Sequence, residues 1–399
     1  MRNGLLRVEQ ARELILRAVR PLPAQRASLK DAFGCVLAED IRAPIPLQPF
    51  DNSAVDGYAV RAADVALASR NNPVRLRVIE EIQAGRAPRK KIRVSEATRI
   101  FTGALIPRSA DVVVMQEDTD SGDRSVCVFD AAIRGENIRH AGEDVRKGQV
   151  VLRRGHLLGA AQIGLLAALG MEKVWVIPRP RVGIVATGDE VQPAGKRLKL
   201  GEIYESNRDT LALLVGSSGG RPEMTLIARD TSKDLRAKIA RLAGCEAIII
   251  VGGVSVGKYD LVKPVLKELG GRLKFWKVAM KPGKPFVFGK LKGAPVFGLP
   301  GNPVSAFVTF LLLVRPPLLK MRGLSGVAPT TVQAIAAERF ENRGDRRHFL
   351  RVMVEAGRVR LAGRQGSHVL SSLAAANALL DLPAGAAVAK GEPVSVIMI

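Results

Sequence analysis

Three loops of the sequence place glycine or acidic residues directly after short apolar segments. They are residues 187–190 (TGDE), Asp230, and residues 252–257 (GGVSVG). If the apolar segments are strands of an open α/β sheet, these loops meet at one sheet edge, where ligands bind in such folds. We predict that Gly252, Gly253 and Ser255 bind substrate, because paired glycines let backbone N–H groups approach an anion closely. A plain tight turn would also explain the two glycines.

Three carboxylates lie in or just beyond these loops. Glu190, Asp230 and Asp260 are acidic residues within the most basic part of the chain. Carboxylate oxygens beside phosphate-binding loops are the ligands that Mg²⁺ prefers, so we predict a magnesium site. Asp260 could equally cap the helix that follows it, and capping does not exclude metal binding.

A short, stiff segment carries three lysines. Lys277, Lys281 and Lys284 lie in residues 276–285 (WKVAMKPGKP), where prolines and a glycine restrict the backbone. Like charges this close repel one another unless an anion binds, so an anion site is one interpretation and a solvated basic turn the other. Residues 299–305 (LPGNPVS) form another rigid turn that enters a helix. Its N–H groups and Ser305 could contact an oxyanion.

The remaining polar loops give weaker signals. Residues 51–58 (DNSAVDGY), which include Asp56, could bind substrate or could only cap a helix, and Thr102 lies in a similar loop. The four histidines have no ligand-like spacing, and we interpret them as structural or surface residues. No Ser/His/Asp or Cys/His constellation stands out. Three widely spaced cysteines argue against a disulfide framework or a zinc site and fit a reducing cytosol.

The pattern of apolar residues predicts a multidomain α/β protein. Residues 179–325 alternate strands with helices, which indicates a doubly wound α/β domain. Residues 51–140 favour an inserted β-rich lobe, and residues 326–399 a compact β domain. The last helix of the α/β domain is predicted to begin at Asn302 and to be stopped by the pair Pro316-Pro317.

The charge is strongly basic but unevenly distributed. The 399 residues hold 61 Lys and Arg against 38 Asp and Glu, a net +23, and residues 179–325 hold 25 basic and 11 acidic side chains, a net +14. The chain has no basic tail and only five Trp and Tyr residues, so nucleic-acid binding is not favoured. The field suits a multiply anionic small substrate, although a generally basic surface is the plainer interpretation. We also expect no membrane span and no signal peptide.

Taken in order, the motifs resemble the molybdopterin molybdenumtransferase family, whose fold also forms the C-terminal domain of gephyrin. The resemblance spans nearly the whole chain. It is carried by residues 50–60 (FDNSAVDGYAV), 99–103 (RIFTG), 110–118 (ADVVVMQED), 187–190 (TGDE), 201–211 (GEIYESNRDTL), 252–260 (GGVSVGKYD), 278–285 (VAMKPGKP), 299–305 (LPGNPVS) and 365–372 (QGSHVLSS). Leu105 and Lys258 depart from residues that are frequent in the family.

The resemblance implies an elongated homodimer with four structural domains, and the cysteine content predicts a cytoplasmic location. Residues 1–50 and 141–178 would form the α+β dimerisation domain, 51–140 the inserted β lobe, 179–325 the molybdopterin-binding domain, and 326–399 the C-terminal β domain. The implied reaction takes adenylylated molybdopterin and molybdate, needs Mg²⁺, releases AMP and leaves molybdenum on the dithiolene sulfurs. The molybdopterin adenylyltransferase and the apoproteins of molybdoenzymes are implied partners; nucleic acid and membranes are not.

The resemblance also implies roles for individual residues. Glu190, Asp230 and Asp260 would hold Mg²⁺ and orient the adenylate. The molybdate pocket would consist of Lys281, Lys284, Ser305, Arg351 and Ser367. Lys277 would add positive potential, while Asp56 and Thr102 would close the site from across the dimer. The alternative is a non-catalytic scaffold or assembly protein with the same fold.

Overall fold

The computed structural model describes residues 5–254 and 261–399. These residues form two compact units. The larger unit comprises residues 5–38, 155–158 and 174–399 within the described ranges, and the smaller comprises residues 39–154 and 159–173.

The described residues contain helices and strands of mostly short length. The helices are Val8–Ala18, Leu29–Ala32, Ala62–Val65, Gln116–Asp118 (3₁₀), Ala160–Ala168, Asn207–Ser217, Ser232–Arg241, Val262–Glu268, Pro303–Thr309, Phe310–Val314 (π), Arg315–Met321 and Leu370–Ala374. The short strands outside the three main sheets are Gln25–Ser28, Val36–Leu37, Ile41–Arg42, Asn52–Ser53, Ile138–Arg139, Val150–Leu152, Lys173–Ile177, Val191–Gln192, Ile203–Tyr204, Phe340–Glu341 and Ala387–Val388.

The smaller unit is built around a five-stranded mixed sheet. Its strand order is Val112–Met115, Gly57–Val60, Glu96–Ile100, Val74–Ile82, Ser125–Val128. Alternate side chains pack on its two faces, with Tyr58 and Val60 in one apolar cluster and Ala59 in the other. Asp56 immediately precedes the strand Gly57–Val60, and Thr102 follows the neighbouring central strand Glu96–Ile100. The pairing of these strands therefore places the two residues side by side.

The α/β domain of the larger unit contains a six-stranded sheet. The strand order is Arg221–Ala228, Arg181–Thr187, Ala247–Val251, Ala294–Leu299, Val287–Leu291, Arg272–Trp276; the first four are parallel, and the last two are antiparallel to their neighbours. Helices pack on both faces, Asn207–Ser217 in one core cluster and Ser232–Arg241 with Val262–Glu268 in the other. The predicted doubly wound topology is confirmed.

The chain order in this sheet creates a crevice. From the strand Arg181–Thr187 the chain moves outward to Arg221–Ala228, and then returns to Ala247–Val251 on the other side. The connections therefore diverge between Arg181–Thr187 and Ala247–Val251. Loops that leave these strands in opposite directions open a crevice at their carboxyl ends.

The last helix of the domain does not stop at the proline pair. It runs as Pro303–Thr309, widens to a π turn at Phe310–Val314, and continues as Arg315–Met321 with Pro316 and Pro317 in its first turn. Proline lacks an N–H donor, but the first turn of a helix needs none. The run Pro303–Met321 has the length and mean hydropathy (1.5) of a membrane span, and 78% of it is buried, as in a core helix.

The C-terminal strands form a small closed barrel. Their order is Arg347–Glu355, Arg358–Leu361, Thr331–Ala336, Pro393–Met398, Ala378–Leu382, and the last pairs back with the first. Leu350 and Val352 belong to the hydrophobic core of the barrel. Phe349 instead packs in the hydrophobic cluster that includes the buried residues of the α/β domain. Since side chains alternate along a strand, Arg351 lies on the same face as Phe349.

Candidate functional site

A cleft of about 760 Å³ opens beyond the carboxyl ends of the parallel strands. The structure brings five of the predicted site residues onto its wall: Glu190, Asp230, Gly252, Gly253 and Ser305. Residues from the turns that follow three different strands thus share one crevice. Two other predicted residues, Ser255 and Asp260, lie outside the described residues.

Close backbone packing accounts for the two glycines of the cleft. Gly252 and Gly253 have φ angles of 92° and 62°. A Cβ atom on Gly252 would lie 2.7 Å from both the carbonyl oxygen and the hydroxyl of Thr187 on the neighbouring strand. A side chain at these positions would therefore clash with Thr187. The tight turn alone explains why glycine is found here, so the glycines by themselves are not evidence of substrate binding.

The acidic end of the cleft is a cluster of like charges. The N–H of Asp230 donates to Asp189 Oδ1 at 3.1 Å. Burial, and then the charges of Asp189 and Glu190, raise the pKa of Asp230. A cation placed here would relieve both effects, and the all-oxygen donor set suits Mg²⁺. Asp189 also belongs to this cluster; it lies next to Glu190 in the sequence but is not among the predicted metal ligands.

The described residues do not supply a complete metal site. No group of three His, Cys, Asp or Glu side chains within residues 5–254 and 261–399 is arranged to hold a metal ion. The chemistry of Glu190 and Asp230 fits Mg²⁺, and the third predicted ligand lies outside the described ranges.

A buried carboxylate occupies the start of the helix Asn207–Ser217. Glu205 is 7% exposed, lines the cleft, and accepts a hydrogen bond from the N–H of Arg208 at 2.9 Å. Burial raises the pKa of Glu205, while the N–H groups of Arg208 and Asn207 oppose this rise. The Glu205 carboxylate therefore occupies backbone N–H donors that could otherwise bind an anionic ligand.

The helix that begins at Pro303 is tied to the loop that carries Ser367. The N–H of Val304 donates to the carbonyl of Ser367 at 3.3 Å, and Asn302 Nδ2 donates to the Ser367 hydroxyl at 3.0 Å. His368 from the same loop lines the cleft. The sequence predicts only a structural or surface role for His368, because an isolated histidine gives no signal of its place on the cleft wall.

Arg351 is fully buried and has no carboxylate partner among the described residues. Its Nε donates to Ser372 Oγ at 2.8 Å, and its Nη2 to the carbonyls of Arg364 and Gly366 at 2.8 and 3.2 Å. Nη1 has no hydrogen-bond partner in the described part of the chain. Burial lowers the pKa of Arg351. A buried cation without a counter-ion is costly, and this one retains a free donor for an anion.

The three predicted lysines lie outside the wall of the cleft. Lys281 is exposed and stands opposite His348 in the pairing of Met280–Lys281 with Arg347–Glu355. Lys284 is also exposed, and Lys277 lies with its ammonium group 4.1 Å from the ring centre of Trp276. None of them forms an ion pair with a described carboxylate, so their charge is available to an anion.

His348 reports on the positive field around Lys281 and Arg351. Burial, followed by the charges of Lys281, Arg351 and Arg346, lowers the pKa of His348 from 6.5 to about 4. Its Nε2 is buried without a partner among the described residues. The neutral ring therefore lies among three cations at neutral pH.

This histidine should make stability depend on pH. Between pH 6.5 and about 4 the unfolded chain binds a proton at His348 that the folded chain does not, so the free energy of unfolding should fall as the pH falls through this window. Urea unfolding of wild type and His348→Gln, measured from pH 4 to 7.5, should show a flatter profile for the variant. Parallel profiles would contradict this assignment.

Asp56 and Thr102 form a fixed pair in the smaller unit. Asp56 Oδ1 accepts hydrogen bonds from both the N–H and the hydroxyl of Thr102, each at 2.8 Å. These two bonds, the backbone one first, lower the pKa of Asp56. The carboxylate is thus kept ionised, with its second oxygen available to a ligand.

Comparisons with known proteins agree along the length of the chain. The MoeA N-terminal region (domain I and II) matches residues 6–170, a probable molybdopterin binding domain residues 183–320, and the MoeA C-terminal region (domain IV) residues 333–399. Molybdopterin molybdenumtransferase 2 of Mycobacterium tuberculosis is 41% identical over 377 residues, 92% of each chain. The Haemophilus influenzae molybdopterin molybdenumtransferase is 38% identical over 95% of this chain and 94% of its own. A crystal structure of the molybdopterin biosynthesis MoeA protein from Pyrococcus horikoshii superimposes with a TM-score of 0.82 at 35% identity, covering 99% of both chains.

Proposed function

The chain belongs to the molybdopterin molybdenumtransferase family and is a transferase of molybdenum cofactor biosynthesis; on that premise we propose the course of its reaction. The cleft takes adenylylated molybdopterin. Water cleaves the phosphoanhydride to AMP and the pterin phosphate. The two dithiolene sulfurs bond to the molybdenum of molybdate, while one molybdate oxygen leaves as water with the two thiol protons. We infer molybdate rather than tungstate as the anion because the chain belongs to a family of molybdenumtransferases.

The observation that carries the oxyanion part of this proposal is the state of Arg351. The guanidinium is fully buried without a carboxylate and keeps Nη1 free. Lys281 and Arg351 act on the same histidine ring, so the two cations share one neighbourhood. A tetrahedral dianion would compensate both charges, with Ser305, Ser367 and Lys284 as further donors and Lys277 adding potential.

The acidic end is proposed to serve the nucleotide. Glu190 and Asp230, with Asp260, would hold Mg²⁺, which when bound neutralises charge on the phosphate oxygens. Burial first, and then the charges of Asp189 and Glu190, raise the pKa of Asp230, and a bound cation would oppose this rise. The glycines at 252 and 253 allow close approach of the adenylate to the backbone.

The functional unit is proposed to be a cytoplasmic homodimer. Asp56 and Thr102 of one copy would act on the substrate held by the other copy, an arrangement taken from the family. The molybdopterin adenylyltransferase would supply the substrate and apoproteins of molybdoenzymes would accept the product. The three free cysteines suit a reducing compartment.

A reconstituted insertion assay tests the reaction. Purified protein with adenylylated molybdopterin, molybdate and Mg²⁺ should form AMP and molybdenum cofactor in equal amounts. Asp230→Asn should raise the Mg²⁺ concentration for half-maximal rate at least about tenfold, since it removes a charge from the cluster. Glu223→Gln is the control, because it also removes one negative charge but lies at the opposite end of the strand Arg221–Ala228 that precedes Asp230. It should leave the Mg²⁺ concentration for half-maximal rate unchanged. Absence of AMP release by wild type would instead favour the scaffold alternative.

A further inference from the structure

Asn302 occupies a capping position without capping its own helix. It is the residue before the helix Pro303–Thr309, and at such positions an asparagine side chain usually accepts a hydrogen bond from an N–H of the first turn. No such bond is present, although the backbone carbonyl of Asn302 accepts from Ala306 at 2.9 Å. The N–H of Val304 is satisfied by the carbonyl of Ser367. Capping therefore does not explain the side chain.

The amide of Asn302 is instead directed at Ser367. Its Nδ2 donates to the Ser367 hydroxyl oxygen at 3.0 Å. The loop that carries Asn302 is itself held, because Asn207 Nδ2 donates to the carbonyl of Gly301 at 2.7 Å. The bond to Ser367 thus links the α/β domain to the segment between the barrel strands Arg358–Leu361 and Ala378–Leu382.

The direction of this bond decides where the serine proton points. A hydroxyl has one hydrogen to donate and two acceptor lone pairs. Because the oxygen of Ser367 accepts from Asn302, its hydrogen is left for another acceptor. Among the described residues, the Ser367 hydroxyl donates to no group.

We propose that Asn302 is a positioning residue that orients the Ser367 hydroxyl to donate to the oxyanion substrate. The inference rests on the proposed function, in which Ser367 belongs to the molybdate pocket. Asn302 does not touch the anion in this scheme. It acts through Ser367, and its amide must be the donor for the geometry to work.

The donor requirement gives an isosteric test. Asn302→Asp keeps the shape but can only accept, so the Ser367 proton would turn toward the new carboxylate and away from the anion. The variant also adds a negative charge. Asn302→Ala removes the donor and leaves the hydroxyl free to rotate. We expect molybdate affinity to fall roughly 10- to 100-fold in Asn302→Asp and roughly 3- to 10-fold in Asn302→Ala.

Calorimetric titration of the full-length protein with sodium molybdate measures these affinities without turnover. The change should appear in Kd and in the KM for molybdate, with kcat at saturating molybdate little altered in Asn302→Ala. Ser367→Ala completes a double-mutant cycle: in that background Asn302→Ala should have no further effect, because the hydroxyl through which it acts is absent.

The outcomes separate the inference from the proposed function. If wild type binds no molybdate, the proposed pocket is wrong. If wild type binds and Asn302→Asp binds equally well, the serine is the donor to Asn302, and the inference is overturned. Additive effects of Asn302→Ala and Ser367→Ala would also overturn it, since Asn302 would then act independently of Ser367.

Discussion

Molybdate should raise the melting temperature of the wild-type protein and leave that of Arg351→Met unchanged. The wild-type guanidinium lies in the interior with no compensating carboxylate among the described residues, and an anion that reaches Nη1 would relieve the cost of its burial. Ligand at about 100 times its Kd stabilises a native protein by about 2.7 kcal/mol. Differential scanning calorimetry in sodium molybdate and in sodium chloride of matched ionic strength separates this effect from ionic strength.

The same variant should lose activity more than it loses stability. Methionine removes an uncompensated buried charge, which offsets the loss of three hydrogen bonds, so we expect little change in the melting temperature without ligand. Turnover in the insertion assay should fall roughly 100- to 1000-fold, as on removal of an oxyanion donor.

Arg322→Met is the matched control. Arg322 is 6% exposed, donates to the carbonyls of Ser218 and Gly34, and has its pKa lowered by burial and by Arg179. It is a second buried arginine that is held by carbonyl groups, and its partners are not in the loop of residues 364–372 that holds Arg351. Its variant should keep the molybdate-dependent rise in melting temperature. An equal rise in Arg351→Met would show that the anion binds elsewhere.

The fold was largely predictable because its signals are local. The apolar strand Ala247–Val251 is buried at every position, as a continuous apolar run predicts for a parallel sheet. The proline pair misled the helix prediction because its effect depends on position. Prolines end a helix from within, but Pro316 and Pro317 begin a new turn after a π segment, and no local pattern announces that segment.

The site was less predictable because its determinants are not local. Glycines and carboxylates after strands indicated the cleft, since parallel strands bring their ends together. The burial of Arg351 depends on the loop of residues 364–372 folding over it, and nothing in the local sequence around Arg351 signals this. Family resemblance had to supply that residue. Glu205 and His368 were missed for the same reason: their place on the cleft depends on the loops around them.

Mixing two inactive variants should restore activity. Asp56→Ala and Lys281→Ala each remove one component of the proposed site, and each purified variant should form no cofactor. If Asp56 acts on substrate held by the partner copy, a mixed dimer contains one site with both residues intact and one site with neither. Random reassociation makes half the dimers mixed, so the mixture should reach about a quarter of wild-type activity.

A second mixture tests whether this recovery reports shared sites. Lys281→Ala and Asp230→Asn alter residues of the same compact unit, so every site in their mixed dimer keeps one defect, and the activity should not exceed the mean of the two variants measured separately. Recovery in the first mixture but not in the second requires Asp56 and Lys281 of different copies to meet. No recovery in either mixture, with subunit exchange verified by native mass spectrometry, would mean that each chain completes its own site.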